Sequence, residues 1–370
     1  MQNKKLTVVQ IIDQLNVGGA ERVLVTLSNL LYKNGHAVTV LTTVTKGPLA
    51  AQLHKEIPVI DLQRKWKWNP VKMLQLVKII KAFDIIHVHS SYNMRYVYLA
   101  AKIFGLQKPI FFQEHFGAVA GNKNATLLQR FIYPKTILIA VSDKIKTWAL
   151  HTLNMDNKRV FILPNIVIAY RPGPIKKQPV KGSINLLLVS NILPGKHIEF
   201  AFELLGKLNM INNFHLTIIG KPADLIYFEL LKQKINELQL TECISFIFDC
   251  SEIQPLLYKF HLAIHTSKSE SGPLVLIEYM AQGLPFVSFN TGEVVQQIKT
   301  KLPELIANDF NTKSWIRKII FLLNNENNQH ISLKMQEVFA TYFSEEEYYK
   351  CCINIYNEGL KLYILNIPRF

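Results

Sequence analysis

The sequence has no cysteine pattern suited to a staple or a metal. Its four cysteines, Cys243, Cys250, Cys351 and Cys352, lack zinc-site spacing, and the adjacent pair would point different ways on a helix. That disfavours a disulfide-built fold and points to free thiols in a reducing compartment. No stretch approaches the roughly 18 to 20 uninterrupted apolar residues of a membrane-spanning helix. The opening run MQNKKLTVVQIIDQL is basic and then apolar, but Gln10 and Asp13 interrupt it before any small-residue cleavage site, so it reads as the first strand of a cytosolic protein. Asp-x-Asp occurs nowhere, which leaves a metal-held diphosphate unsupported, and serine-hydrolase elbows are missing too. Acidic residues are scarce in one half only. Up to Val180 there are 25 Lys and Arg against 8 Asp and Glu; the remainder has 17 against 19. A basic half favours an anionic partner, membrane surface or nucleic acid, with a solvated basic face as the alternative.

What is present is a repeated pattern. The 370 residues, 49% of them hydrophobic, suffice for about two domains. Short apolar runs alternate with helical patterns: Thr7 to Ile12, Ala37 to Thr42, Ile57 to Leu62, Ile85 to His89, Ile110 to Gln113, Thr136 to Val141 and Val160 to Leu163. Between Ile168 and Ser183 the composition shifts to AYRPGPIKKQPVKGS, a linker. The alternation restarts with Ile184 to Val189, His215 to Ile219, Ile244 to Phe248, Leu262 to Thr266 and Phe286 to Phe289. Such buried strands imply two doubly wound α/β domains with mostly parallel sheets, a cleft between them, and ligands at the carboxyl ends of the strands. After Thr312 the chain reads as helical, and Ser344-Glu345-Glu346-Glu347 opens a last helix with a capping residue followed by acids.

The stretch Glu270 to Pro285, ESGPLVLIEYMAQGLP, is the densest in chemistry. Pro273 suits a first helical position, Gly283 a left-handed stop and Pro285 a block, so the pattern predicts a helix over Pro273 to Gln282. Strand, polar loop and helix start together turn amides and the helix dipole toward an anion. Glu270 stands just before the helix and Glu278 in its second turn, leaning back toward the same mouth. A molecule with phosphates between two hydroxyl-rich rings would suit them, and a nucleotide sugar is one. The plainer alternative pairs Glu278 with a buried cation and leaves Glu270 solvated. Upstream, Gly18-Gly19 at a strand-to-helix turn lets a backbone approach a ligand, or makes a simple tight turn. Arg64-Lys65-Trp66-Lys67-Trp68 interleaves cations with indoles, as membrane headgroup contacts do; nucleic-acid binding uses the same residue types. His87 and His89 share a strand face without a third metal ligand, which favours core or cleft-lining histidines. His115, at a strand's carboxyl end, is placed for the cleft or is a satisfied structural histidine.

Several of these stretches resemble the family-4 retaining glycosyltransferases. Glu270 and Glu278, with Tyr279-Met280-Ala281-Gln282-Gly283-Leu284-Pro285 after them, look like the paired-glutamate motif and its EAMAxGLPV run. Gly18 to Arg22 resembles GGAER, and Asp84 to Ser90 resembles DIIHVHS. The resemblance implies a GT-B architecture: an acceptor-binding domain over 1–170, a nucleotide-sugar domain over 181–343, and a C-terminal helix, 344–370, that crosses back to the first domain. It implies Glu278 on ribose, Glu270 on the donor sugar, amides of Gly272, Pro273 and Leu274 on diphosphate, Gly18 and Gly19 facing that diphosphate, and His115 on the sugar or acceptor. Val189 to His197 looks like VGRLxxxKG, where an Arg and a Lys hold the leaving diphosphate. Lys196 matches the Lys, Asn191 stands where the Arg should be, and Lys221 is the candidate substitute. The implied reaction is metal-independent retaining transfer from a nucleotide sugar, UDP-sugar by family default, to a glycan or lipid-linked acceptor of cell-surface polysaccharide assembly. No cofactor and no nucleic-acid partner is expected. The expected location is cytoplasmic, peripheral on the inner face of the membrane, with Arg64 to Trp68 toward lipid or acceptor. A pseudo-transferase that binds without turnover is the alternative.

Overall fold

Ile, Val, Leu and Phe runs too short for helices form parallel strands covered on both faces. The computed structural model describes residues 5–66, 68–115, 125–170, 182–250 and 252–365. Described residues up to Ile166, together with the helix that begins at Glu345, make one compact unit, and Val167–Ser344 make the second. Residues 171–181 of the expected linker lie outside the described residues.

The first unit holds β1 (Thr7–Gln14), β2 (Ala37–Thr45), β3 (Val59–Asp61), β4 (Ile85–His89), β5 (Ile110–Glu114), β6 (Ile137–Ala140) and β7 (Val160–Ile162). Their order, β3-β2-β1-β4-β5-β6-β7, is parallel at every pairing. Its helices are α1 (Gly19–Lys33), α2 (Pro70–Ile80), α3 (Ser91–Ile103), α4 (Leu127–Ile132) and α5 (Asp143–His151). Val23, Leu24, Leu27, Leu30 and Leu31 recur at helical spacing and bury one face of α1. Asn69 caps α2 by accepting from the Lys72 amide, and Pro70 occupies the first turn, where its missing N–H costs nothing.

The second unit holds β8 (Ile184–Val189), β9 (Phe214–Ile219), β10 (Ile244–Ile247), β11 (Leu262–His265), β12 (Phe286–Phe289) and β13 (Ile306–Ala307), ordered β10-β9-β8-β11-β12-β13 and parallel throughout. Its helices are α6 (Ile198–Asn209), α7 (Leu225–Glu237), α8 (Leu274–Gln282), α9 (Glu293–Ile298), α10 (Thr312–Leu323) and α11 (Asn325–Tyr342). Both units are therefore Rossmann-like. In each, strand order reverses beside the first strand, at β1/β4 and at β8/β11, which is where such sheets leave a crevice outside the strand ends.

Three local expectations shift. Strand β3 starts at Val59, after Pro58, which has no N–H to give to a ladder. Strand β13 went unforeseen because two residues show no period. Helix α8 begins at Leu274, with Pro273 as the flanking residue at φ −66°, ψ 109°; the ring fixes φ and leaves ψ extended. Gly283 stops α8 in the left-handed conformation, φ 67°, as expected.

The last helix, α12 (Glu345–Leu365), returns to the first unit. Tyr348, Cys352, Ile353, Ile355 and Tyr356 join the core that also contains Val8, Ile85 and Phe111. Tyr356 meets Phe111 edge to face at 5.2 Å. Gly359 makes the closest approach: a Cβ there would lie 2.6 Å from Ile137 Cδ1 and nearer still to Phe111 Cε1. Gly359→Ala should therefore destabilise the protein by about 1–3 kcal/mol through overpacking, despite alanine's better helix propensity. Thermal unfolding checks this, and a raised melting point would contradict the packing.

Candidate active site

Two loops leave the switch point of the second sheet, one after β8 and one after β11, and backbone contacts join them. Thr266 Oγ1 donates to the Lys196 carbonyl at 2.8 Å, and the Lys268 amide donates to the Gly195 carbonyl at 3.0 Å. Lys196 is thereby carried to Glu270: Nζ lies 2.5 Å from Oε1. His265, at the carboxyl end of β11, puts Nε2 3.4 Å from the same oxygen, and its Nδ1 is 3.1 Å from Ser288 Oγ. Burial raises the Glu270 pKa, but His265 and Lys196 outweigh it and draw it down to about 2. Glu270 is thus ionised and accepts hydrogen bonds only.

Glu270 is also gripped from behind. Its amide donates to Thr291 Oγ1 at 3.1 Å, and the Glu293 amide donates to the Ser271 carbonyl at 2.7 Å. Gly292, φ 82°, permits the crossing, since a Cβ would sit 2.9 Å from Pro273 Cδ and 3.0 Å from Glu270 Cβ. No side chain caps the amino end of α8. Its first amides and the positive end of its dipole remain for a ligand. Within the expected stretch Gly272 to Leu274, Pro273 has no N–H and cannot donate. Glu278 is the fifth residue of α8, 8% exposed. Asn191 is exposed. Lys221 lies alongside, because the Ile192 amide donates to its carbonyl at 2.8 Å, but its Nζ is 3.4 Å from Asp249.

In the first unit, Gly18 flanks α1 in an extended conformation, Gly19 opens the helix, and no side chain caps it. A Cβ on Gly18 would fall on the Glu21 carboxylate. His87, His89 and His115 come together at the ends of β4 and β5. The His87 and His89 rings stack at 4.4 Å, and His89 and His115 at 5.2 Å. Both nitrogens of His89 are engaged, by Gln10 Oε1 at 2.8 Å and His115 Nε2 at 2.9 Å. His87 and His89 are core histidines, and His115 is half-buried at the end of β5. Among the described residues, no group of three or more His, Cys, Asp and Glu is placed to hold a metal ion. Burial lowers both His87 and His115 to about 3; on His87 the neighbouring His115 adds to the effect.

One expectation is corrected. Arg64 does not face a membrane: it is 4% exposed, with its guanidinium 4.0 Å from the Tyr96 ring and 4.7 Å from that of Tyr92. A planar cation stacks well on aromatic faces, so the chain buries it. Lys65 is exposed, as are Trp66 at 74% and Trp68 at 43%. Lys67 lies outside the described residues.

Comparison with known proteins decides the family. The model for Glycosyltransferase Family 4 matches residues 17–169, and that for Glycosyl transferases group 1 matches residues 174–339. The chain belongs to the family-4, group-1 glycosyltransferases. It is 22% identical over 331 residues to an uncharacterized glycosyltransferase of Haemophilus influenzae, covering 84% of this chain and 88% of that one. It is also 22% identical over 308 residues to one of the subunits of human phosphatidylinositol N-acetylglucosaminyltransferase, covering 78% of this chain and 62% of the human one. The crystal structure of Anabaena Alr3699/HepE in complex with UDP and glucose superposes with a TM-score of 0.78 at 15% identity, over 94% of this chain and 98% of that one. The likeness is one of fold, and that fold is GT-B.

For this glycosyltransferase, sequence reasoning passed over His265, Thr291 and Gly292. His265 left a signal, a polar residue ending a buried strand, and Gly292 another, a glycine just past the end of β12; Thr291 left none. Because Glu270 is depressed, its contribution to stability is complete above about pH 4.5 and lost as pH falls toward about 2. Glu270→Gln should therefore be less stable than wild type at neutral pH, with the gap narrowing across that window. Urea midpoints measured along the pH series test this; a constant gap would contradict the pairing.

Proposed function

We propose that this glycosyltransferase moves a sugar from a nucleoside diphosphate sugar, with UDP as the working nucleotide, to a glycan or lipid-linked acceptor, retaining the anomeric configuration and using no metal. The observation behind it is the 2.5 Å pair of Lys196 and Glu270 at the uncapped start of α8. In the proposed complex the diphosphate takes Lys196 and the first α8 amides, which oppose the negative charge growing on the leaving group. Glu270, released from Lys196 and held ionised, accepts from sugar hydroxyls. Glu278 accepts from the ribose and His115 contacts sugar or acceptor, while Gly18 and Gly19 face the diphosphate. Cationic and amide groups do here what a metal would otherwise do. The acceptor hydroxyl attacks from the face the diphosphate leaves, so Glu270 serves as a contact and not as a nucleophile.

UDP is supported by the Anabaena complex, and a lipid-linked acceptor by the phosphatidylinositol named for the human relative. Exposed Trp66 and Trp68 beside Lys65 suit the headgroup layer of an anionic membrane on its cytoplasmic side. No helix among the described residues is long and apolar enough to cross a membrane. Asn191 favours a second reading, donor binding without turnover, since it removes a positive charge beside the leaving group. Incubation with a panel of nucleotide sugars and lipid acceptors separates the two. Lys196→Ala should lower kcat on the order of 100-fold, and Glu278→Ala should weaken donor binding. Full turnover by both variants would overturn the site, and binding without turnover in wild type would favour the second reading.

A further inference from the structure

The amino ends of the first unit's strands surround a cavity of about 360 Å³. It is lined by residues that precede or open β5, β6 and β7, by the carboxyl-terminal part of α3 and by the end of α12. The sheet is parallel, so this edge lies opposite the one where β4 ends at His89 and β5 leads to His115. Four of the lining side chains are cations: Lys102 on α3, Lys108 before β5, Lys135 before β6 and Arg159 before β7. Among the described residues that line the cavity, none is acidic.

These cations come from four separate places in the chain, and among the described residues none of them makes an ion pair. Three are nonetheless held. Lys108 Nζ donates to the Phe83 carbonyl at 2.5 Å, Lys135 Nζ sits 3.4 Å from the centre of the Phe131 ring, and Arg159 is half-buried. The α3 dipole accounts for one cation, since Lys102 stands in the last turn of that helix. It does not account for the other three, which belong to other segments. Like charges around a concave surface repel one another and focus their field into it, which draws a counter-charge.

We propose that this cavity binds a small, multiply charged phosphate compound at a place distinct from the candidate active site. Three ammonium groups and a guanidinium donate only, so the ligand must accept. The fork of Arg159 matches one phosphate in shape, and the lysines balance further charge as point cations. A volume of about 360 Å³ suits a small molecule and not a polymer. Half-buried Tyr98 on α3 and Tyr363 on α12 add rings to the lining. Tyr363 lies one turn beyond Gly359, where α12 meets Phe111 and Ile137, so a bound phosphate ties the end of α12 to the sheet. Trp66 and Trp68 follow β3 at the other edge of the same sheet. A membrane met by those rings does not reach this cavity, which favours a free compound over a lipid headgroup.

Acetylation of the full-length protein by acetic anhydride, followed lysine by lysine in a mass spectrometer, tests this with tripolyphosphate as the probe. At about 0.15 M salt, where exposed charges are screened beyond about 8 Å, tripolyphosphate should slow modification of Lys102 and Lys135 at least about 3-fold, as a mostly filled site requires. Lys78 and Lys313, exposed elsewhere, should react as before. The double variant Lys135→Gln, Arg159→Gln should melt with wild type and lose the protection of Lys102, whereas Lys196→Ala should keep it. Equal slowing at Lys78 and Lys313 would mean general screening and would overturn the site. Protection of Lys102 that survives in the double variant, or disappears in Lys196→Ala, would overturn it as well. Protection by phosphatidylcholine vesicles carrying phosphatidylinositol bisphosphate, with none by tripolyphosphate, would overturn the free ligand and put a lipid headgroup in its place.

Discussion

The contact between Lys196 and Glu270 is the constraint around which the second unit's candidate site is built. Opposite charges at the uncapped start of α8 neutralise each other at 2.5 Å, and His265 shares the same carboxylate oxygen. The pair exists because backbone crossings force it. The loop after β8 hangs on Thr266 and Lys268, and Gly292 lets the segment after β12 press against Glu270 and Pro273. A ligand phosphate would meet a preformed cation and a ready helix terminus, while the carboxylate it displaces stays ionised and able only to accept. Binding then exchanges one partner of Lys196 for another, while the backbone around it is already fixed.

The first unit manages its buried polar groups differently. Its sheet brings Gln10, His87, His89 and His115 together without an opposing charge, and burial keeps the three histidines neutral. Buried neutral groups depend on their hydrogen bonds, and here Gln10 links His89 on β4 to Tyr356 on α12. Helix α12 is more than a lid on this sheet: it supplies the hydroxyl that anchors the amide and packs against Phe111 and Ile137 through a glycine.

Much of this was legible in the chain. Apolar runs such as Ile85 to His89 and Ile184 to Val189 became strands with those bounds, since buried parallel strands read as continuous hydrophobic stretches. Gly283 and Pro285 marked the end of α8. Other features escaped. Arg64 looked like a surface cation because its neighbours in sequence are Lys and Trp, while the tyrosines that bury it come from α3. Lys221, the candidate substitute for the missing arginine, has its Nζ 3.4 Å from Asp249, a neighbour that its own stretch of sequence does not announce.

The sequence by itself determined the alternation of strand and helix, the two Rossmann-like halves, the family, and the polar residues at strand ends, because period, turn chemistry and motif spacing are short-range properties written in consecutive residues. Only the tertiary structure decided that Lys196 meets Glu270, 74 positions away, and that Gln10 meets Tyr356, 346 positions away. Those meetings follow from strand order and helix packing, which bring together side chains whose local sequence carries no mark of the partner.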